Sequence, residues 1–130
     1  MRTLLFSMVL GGLALSSCSE SPGEFDVAHI SGPGWTVASF TDDDDDLYTS
    51  LFVGHVFDFQ ENGALLVTVS DSLQFQGFYD FTEENTRIRL DVSGTDGLEE
   101  LRESWEIMGS TPTDFELREV GDNERIRFVK

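Results

Sequence analysis

LFVGHVFDFQENGALLVTV, residues Leu51 to Val69, is the stretch that decides the fold. In its first half Leu51, Val53, His55, Phe57 and Phe59 fall on one side of an extended chain, and Phe52, Gly54, Val56 and Asp58 on the other. Successive side chains of a strand point to opposite faces, so a period of two with one apolar face is the pattern of a half-buried antiparallel strand. After Gln60-Glu61-Asn62-Gly63 the alternation resumes with Leu65, Val67 and Val69. Asn-Gly supplies the positive φ that a tight hairpin needs, which predicts that the two strands fold back on each other.

The same rhythm continues outward in both directions. Upstream, Trp35 and Val37 share a face in GWTVASF. Downstream, Leu73, Phe75, Gly77, Tyr79 and Phe81 oppose Gln74, Gln76 and Asp80, and Ile88, Leu90 and Val92 interleave with Arg87, Arg89 and Asp91. Trp105 with Ile107, Phe115 with Leu117, and Ile126 with Phe128 complete eight segments, separated by turn residues such as Thr82 to Asn85 and Gly121-Asp122-Asn123. One stretch departs from the period of two. Gly97 to Ser104 spaces Leu98 and Leu101 three apart among good helix formers, which predicts a helical turn entered through Asp96 as N-cap. Eight antiparallel strands with one apolar face close most economically into an up-and-down barrel with no free edges, and a two-sheet sandwich is the alternative.

The N-terminus has a different character. Arg2 precedes a nearly unbroken apolar run from Leu4 to Leu15, then Ser16 and Ser17. That is the layout of a secretory signal peptide over residues 1–17, too short to span a bilayer as a helix. Leu15-Ser16-Ser17-Cys18 resembles the lipobox of bacterial lipoproteins. The resemblance implies thioether attachment of a diacylglyceryl group to Cys18, cleavage between Ser17 and Cys18, and a membrane anchor of two or more acyl chains. Ser19, which is not the aspartate that retains many such proteins at the inner membrane, points to the outer membrane. Residues 18–33 mix Ser, Pro, Gly and acids without periodicity and read as a lipidated terminus and flexible tether, with the barrel occupying residues 34–130.

Composition narrows the function. The chain carries 25 acidic and 8 basic residues, a net charge of −17, and loss of Arg2 with the signal peptide makes it −18. Nucleic acids are excluded as partners, because phosphate contacts need Lys or Arg. Cys18 is the only cysteine, so once acylated it leaves no thiol for a disulfide, and stability falls to apolar burial.

Order and spacing of the motifs add a resemblance. Gly34-Trp35-x-Val37, Phe52-x-Gly54-x-x-Phe57-x-Phe59, Gly77-x-Tyr79, Leu98-x-x-Leu101-x-x-x-Trp105-x-Ile107 and Ile126-x-Phe128-x-Lys130 together resemble the small lipocalin-like lipoproteins of Bacteroidetes. The resemblance covers Gly34 to Lys130 and implies a lipocalin-like barrel on the cell envelope, with no catalytic residues to carry over. His55 departs from it, standing where the family has tyrosine.

Chemistry-bearing clusters are few. The run Asp42 to Asp46 invites calcium, yet Leu47 and Val53 stand where an EF-hand needs glycine and a bidentate glutamate. Five adjacent carboxylates cannot converge on one ion, so the run reads as a solvated loop. His55, in phase with Phe57 and Phe59, is expected to point inward, and one histidine with no second His or Cys in phase is a poor metal site. His29 falls in the tether and carries no signal. No nucleophile elbow, phosphate loop or metalloprotease motif occurs, so enzyme activity, a cofactor and a metal are not expected. Two functions stay open. One is a lipocalin-like carrier of a small apolar ligand held by Trp35, His55, Phe57, Phe59, Phe75, Tyr79 and Trp105, with Gly54, Gly77 and Gly109 bending strands to open a mouth. The other is a barrel filled by its own side chains that meets an envelope protein partner through its outer surface.

Overall fold

A computed structural model describes residues 26–43, 45 and 48–130. The signal peptide, Ser17, Cys18 and most of the tether lie outside the described residues. Eight strands run in order: β1 (Gly32–Asp42), β2 (His55–Phe59), β3 (Ala64–Val69), β4 (Leu73–Thr82), β5 (Arg87–Asp91), β6 (Ser104–Thr111), β7 (Asp114–Glu119) and β8 (Glu124–Val129). Each pairs antiparallel with the next and β8 returns to β1, which makes a closed barrel and not a sandwich. Leu65, Val67, Ile88, Leu90, Phe115, Leu117, Ile126 and Phe128 all point inward and are buried, as their alternation predicts.

The hairpin at the heart of the sequence forms as expected. Phe57 pairs with Val67 and Phe59 with Leu65, the Gly63 amide donates to the Gln60 carbonyl at 3.0 Å, and Gly63 takes φ +93°. Its first strand is shorter than the alternation suggests. Thr49–Phe52 instead form a 3-10 turn that buries Phe52 against Phe40, with ring centroids 5.7 Å apart, and leaves Val53 exposed. The turn is fixed at its start by the Thr49 hydroxyl, which accepts from the Phe40 amide at 2.8 Å.

β1 also changes phase. The register shifts between Val37 and Ser39, so Trp35 and Phe40, not Trp35 and Val37 alone, fill the interior. A bulge adds one residue and moves the following side chains to the other face.

Both barrel ends are plugged by short helices, and each plug holds a tryptophan. At one end α1 (Val27–Ile30) buries Ile30 completely, and the Ile30 carbonyl accepts from Trp35 Nε1 at 2.9 Å. At the other, α2 (Asp96–Glu100) and the following residue bury Leu98 and Leu101, and the Leu101 carbonyl accepts from Trp105 Nε1 at 3.1 Å. A buried indole N–H needs an acceptor, and the plugs supply it. Two expectations are corrected here. Residues 26–33 are not a free tether but part of the domain, because Ile30 completes the core. The N-cap of α2 is Thr95, whose hydroxyl accepts from the Leu98 amide at 3.2 Å, while Asp96 is already the first helical residue.

Candidate functional site

The seven residues expected to hold a ligand are brought together inside the barrel, where they occupy one another's space. Trp35 packs edge-on to Phe115 at 4.7 Å, Phe57 edge-on to Phe128 at 5.2 Å, and Phe59 edge-on to Tyr79 at 5.3 Å. Trp105 meets Phe40 at 5.9 Å from the other side. Edge-to-face pairs of this kind add to the stabilisation from burial itself. Phe75 is only half-buried. Gly77 does not open a mouth: a Cβ there would collide with the Asp91 carbonyl and Val92, and one at Gly94 would collide with the Phe75 ring. The absence of side chains at these two positions admits the segment after β5 into the barrel end, which it closes.

Both polar groups among the seven are satisfied. The Tyr79 hydroxyl donates to the Gln60 carbonyl at 2.5 Å, and burial raises its pKa above the ordinary tyrosine value, which keeps it a donor. His55 Nδ1 lies 3.2 Å from the Val53 carbonyl, which can only accept, so Nδ1 carries the proton. Nε2, 3.0 Å from Thr95 Oγ1, is then free to accept from that hydroxyl. Thr95 therefore ties His55 to α2. Among the described residues no buried side-chain polar atom lacks a partner. His29, expected to be idle, instead approaches Ser110 Oγ at 3.0 Å, and the same hydroxyl accepts from the Asp26 amide at 2.8 Å.

Depressions occur on the outside. Four, of about 290 to 350 Å³, are lined by sets such as Arg89, Leu90, Asp91, Arg102 and Glu103, or Met108 to Thr111 with Asp114 and Glu116. None of these four touches the seven interior residues.

The end of the barrel that carries α2 holds a feature alternation could not reveal. Glu119 at the end of β7, Asp122 in the turn and Glu124 at the start of β8 place carboxylate oxygens within 4.8 Å of one another. Burial pushes the Glu119 carboxyl up to about 7, with Glu124, Glu103 and Asp122 acting the same way. Burial and then Asp122 raise Glu124 as well. The β1–β8 seam brings Asp42 to the same end, and Asn123 Nδ2 donates to Asp43 Oδ1 at 2.7 Å. Asp42 and Asp45 exchange backbone hydrogen bonds at 2.9 Å, so this part of the acidic run is a tight turn, and Asp44 and Asp46 lie outside the described residues. Glu119, Asp122 and Glu124 are the residues that could hold a hard cation. With Glu119 protonated, the group satisfies itself through the Glu119–Asp122 hydrogen bond.

Neither a protein-family model nor a curated protein matches this sequence. Among solved structures, a DUF4847 family protein from Bacteroides vulgatus ATCC 8482 superposes with a TM-score of 0.62 over 80% of this chain and 96% of that one, at 14% identity. At that identity the likeness establishes the fold: this chain folds as a small closed β-barrel of the kind seen in that Bacteroides protein.

Proposed function

We propose that this chain is a lipid-anchored envelope protein whose barrel is filled by its own side chains and which works through its outer surface. The observation that carries the reading is the interior itself: rings in edge and stacked contact, indoles and hydroxyls satisfied by main-chain carbonyls, and both ends plugged. An eight-stranded barrel has room for side chains or for one small ligand, and here aromatic side chains take that room. A lipocalin-like carrier function would require several of these rings to swing aside together.

The anchor rests on Leu15-Ser16-Ser17-Cys18. Asp26, pinned to Ser110, is eight residues beyond Cys18, a reach of about 27 Å at ~3.4 Å per residue. The barrel would thus stand close to the outer membrane with its α1 end toward the lipid and its acidic end away from it. Enzyme activity forms no part of this proposal.

Native mass spectrometry of the detergent-extracted protein tests the filled barrel. The expected species is the acylated chain alone. A stoichiometric apolar molecule that survives extraction would reverse the choice in favour of the carrier. Membrane fractionation of Cys18→Ala tests the anchor, with release into the soluble fraction expected.

A further inference from the structure

The turn between β2 and β3 carries a reactive pair that the barrel holds shut. Asn62-Gly63 sets a side-chain amide next to a main-chain nitrogen whose own residue has no side chain. Once deprotonated, the Gly63 nitrogen can attack the Asn62 side-chain carbonyl carbon. The new C–N bond closes a five-membered succinimide, and the Asn62 side-chain nitrogen leaves as ammonia. Water then opens the ring at either of its two carbonyls, giving aspartate or isoaspartate, with no electrons gained or lost. A Cβ on the attacking residue crowds this step, so Asn85-Thr86 and Asn123-Glu124, which contain the other two asparagines of the chain, are slower.

Both reacting groups are engaged in the folded turn. The Gly63 amide donates to the Gln60 carbonyl at 3.0 Å, and Asn62 Oδ1 accepts from the Ala64 amide at 3.0 Å. Ring closure has to break the first bond, because the attacking nitrogen gives up its proton, and has to turn the Asn62 side chain out of the second. Tyr79 on β4 fastens the same turn. Its amide donates to the Gly63 carbonyl at 3.0 Å and its hydroxyl to the Gln60 carbonyl at 2.5 Å. The Tyr79 ring is buried edge-on to Phe59, so the carbonyl that occupies the Gly63 nitrogen is itself held from the core. Asn62 is exposed, and water and base reach the pair as soon as the turn opens.

We infer that Asn62 is a covalent modification site, converted through a succinimide to aspartate or isoaspartate, and that Tyr79 is the positioning residue that sets its rate by holding the turn closed. The inference stands whether or not the chain is anchored to a membrane. Its two products act differently on the barrel. Aspartate keeps an oxygen for the Ala64 amide and leaves the backbone unchanged. Isoaspartate routes the main chain through the former side chain and so adds a methylene to the turn. The strands beyond it are in register from Phe59–Leu65 to His55–Val69, and that register is what points Phe57, Phe59, Leu65 and Val67 inward. Because Gly32 pairs with Phe59, the strain falls at the α1 end of the barrel. Ageing of this one residue is therefore a route to loosening that end.

Peptide mapping by mass spectrometry after incubation in mildly alkaline buffer tests it, because each conversion replaces a side-chain NH2 by OH and is read residue by residue. In urea the wild type should convert Asn62 ahead of Asn85 and Asn123. The folded wild type should convert it at least about tenfold more slowly, since two hydrogen bonds have to break first. Tyr79→Phe keeps the ring and removes one bond to the turn, so in the folded protein it should speed Asn62 about fivefold and leave Asn85 and Asn123 unchanged. Asn62→Asp should melt like the wild type, whereas the separated isoaspartate form should melt lower. Equal rates in the folded chain and in urea, or prior conversion of Asn85 or Asn123 in urea, would overturn the site. No effect of Tyr79→Phe, or acceleration of all three asparagines in step, would overturn the role of Tyr79. An isoaspartate form that melts with the wild type would overturn the effect on the barrel.

Discussion

The Glu119 carboxyl gives the sharpest quantitative test of the acidic end. Its folded-state pKa is about 7 against an ordinary value of 4.5, chiefly through burial and then through Glu124, Glu103 and Asp122. Between those two values the folded state holds a proton that the unfolded chain has lost, so stability falls as pH rises from about 4.5 to 7 and stays low above that. At about 1.4 kcal/mol per pH unit the displacement corresponds to about 3 kcal/mol, and partial exposure of the carboxyl to solvent brings the expected effect to about 1–2 kcal/mol. Glu119→Gln keeps the shape and removes the ionisation. In thermal melts with EDTA present, the variant should match the wild type near pH 4.5 and melt about 5–10 °C higher at pH 8. Glu124 is raised too, by burial first and then by Asp122, Asp42, Glu100 and Glu103. An equal gain at both pH values, or a loss at pH 8, would refute the electrostatic account of this end.

The other predictions concern packing and turns. Gly77→Ala should destabilise by about 2–4 kcal/mol in urea unfolding, because its Cβ would meet the Asp91 carbonyl, and a change below about 1 kcal/mol would mean the segment after β5 can move aside. Phe57→Ala, in the ring cluster with Phe59 and Phe128, should lose about 3–5 kcal/mol and create a dry cavity that takes up benzene, measurable as a rise in melting temperature on adding it. Thr95→Ala removes both the cap of α2 and the partner of His55 Nε2 and should cost about 1–2 kcal/mol, whereas Thr95→Ser should retain most of it. Asp71 sits at φ +63° in the β3–β4 turn, so Asp71→Gly should raise stability by about 1 kcal/mol in the same urea assay, and a decrease would show that its side chain matters more than its backbone.

The contrast between what alternation revealed and what it hid has a physical basis. A strand with one buried face writes its orientation into every second residue, so β2 to β8 are legible from Leu51 onward. A bulge has no such signature: the shift between Val37 and Ser39 is a backbone event, and only the barrel shows that Phe40 points in. The plug α1 was hidden for a related reason. Four residues are too few for a helical period, and Ile30 acquires its role only when Trp35 needs an acceptor. His55 and Tyr79 were legible as inward polar groups, but their partners came from loops whose path the pattern does not encode. Glu119, Asp122 and Glu124 were invisible as a group because carboxylates are everywhere in this chain, and proximity, not spacing, distinguishes them.

The β1–β8 seam sets the order in which the molecule can become itself. Thr36 pairs with Val129, and the Thr36 hydroxyl donates to the Val129 carbonyl across 93 positions of sequence. Until the final strand has left the ribosome, β1 and β7 both present open edges, and Phe57, Phe59 and Phe115 lack the Phe128 ring that the first two meet edge-on and the third stacks against. The strands made first, β1 to β4, carry no arginine, whereas those made last pair theirs with carboxylates of neighbouring strands, Arg118 with Glu106, Arg125 with Glu116 and Arg127 with Asp114.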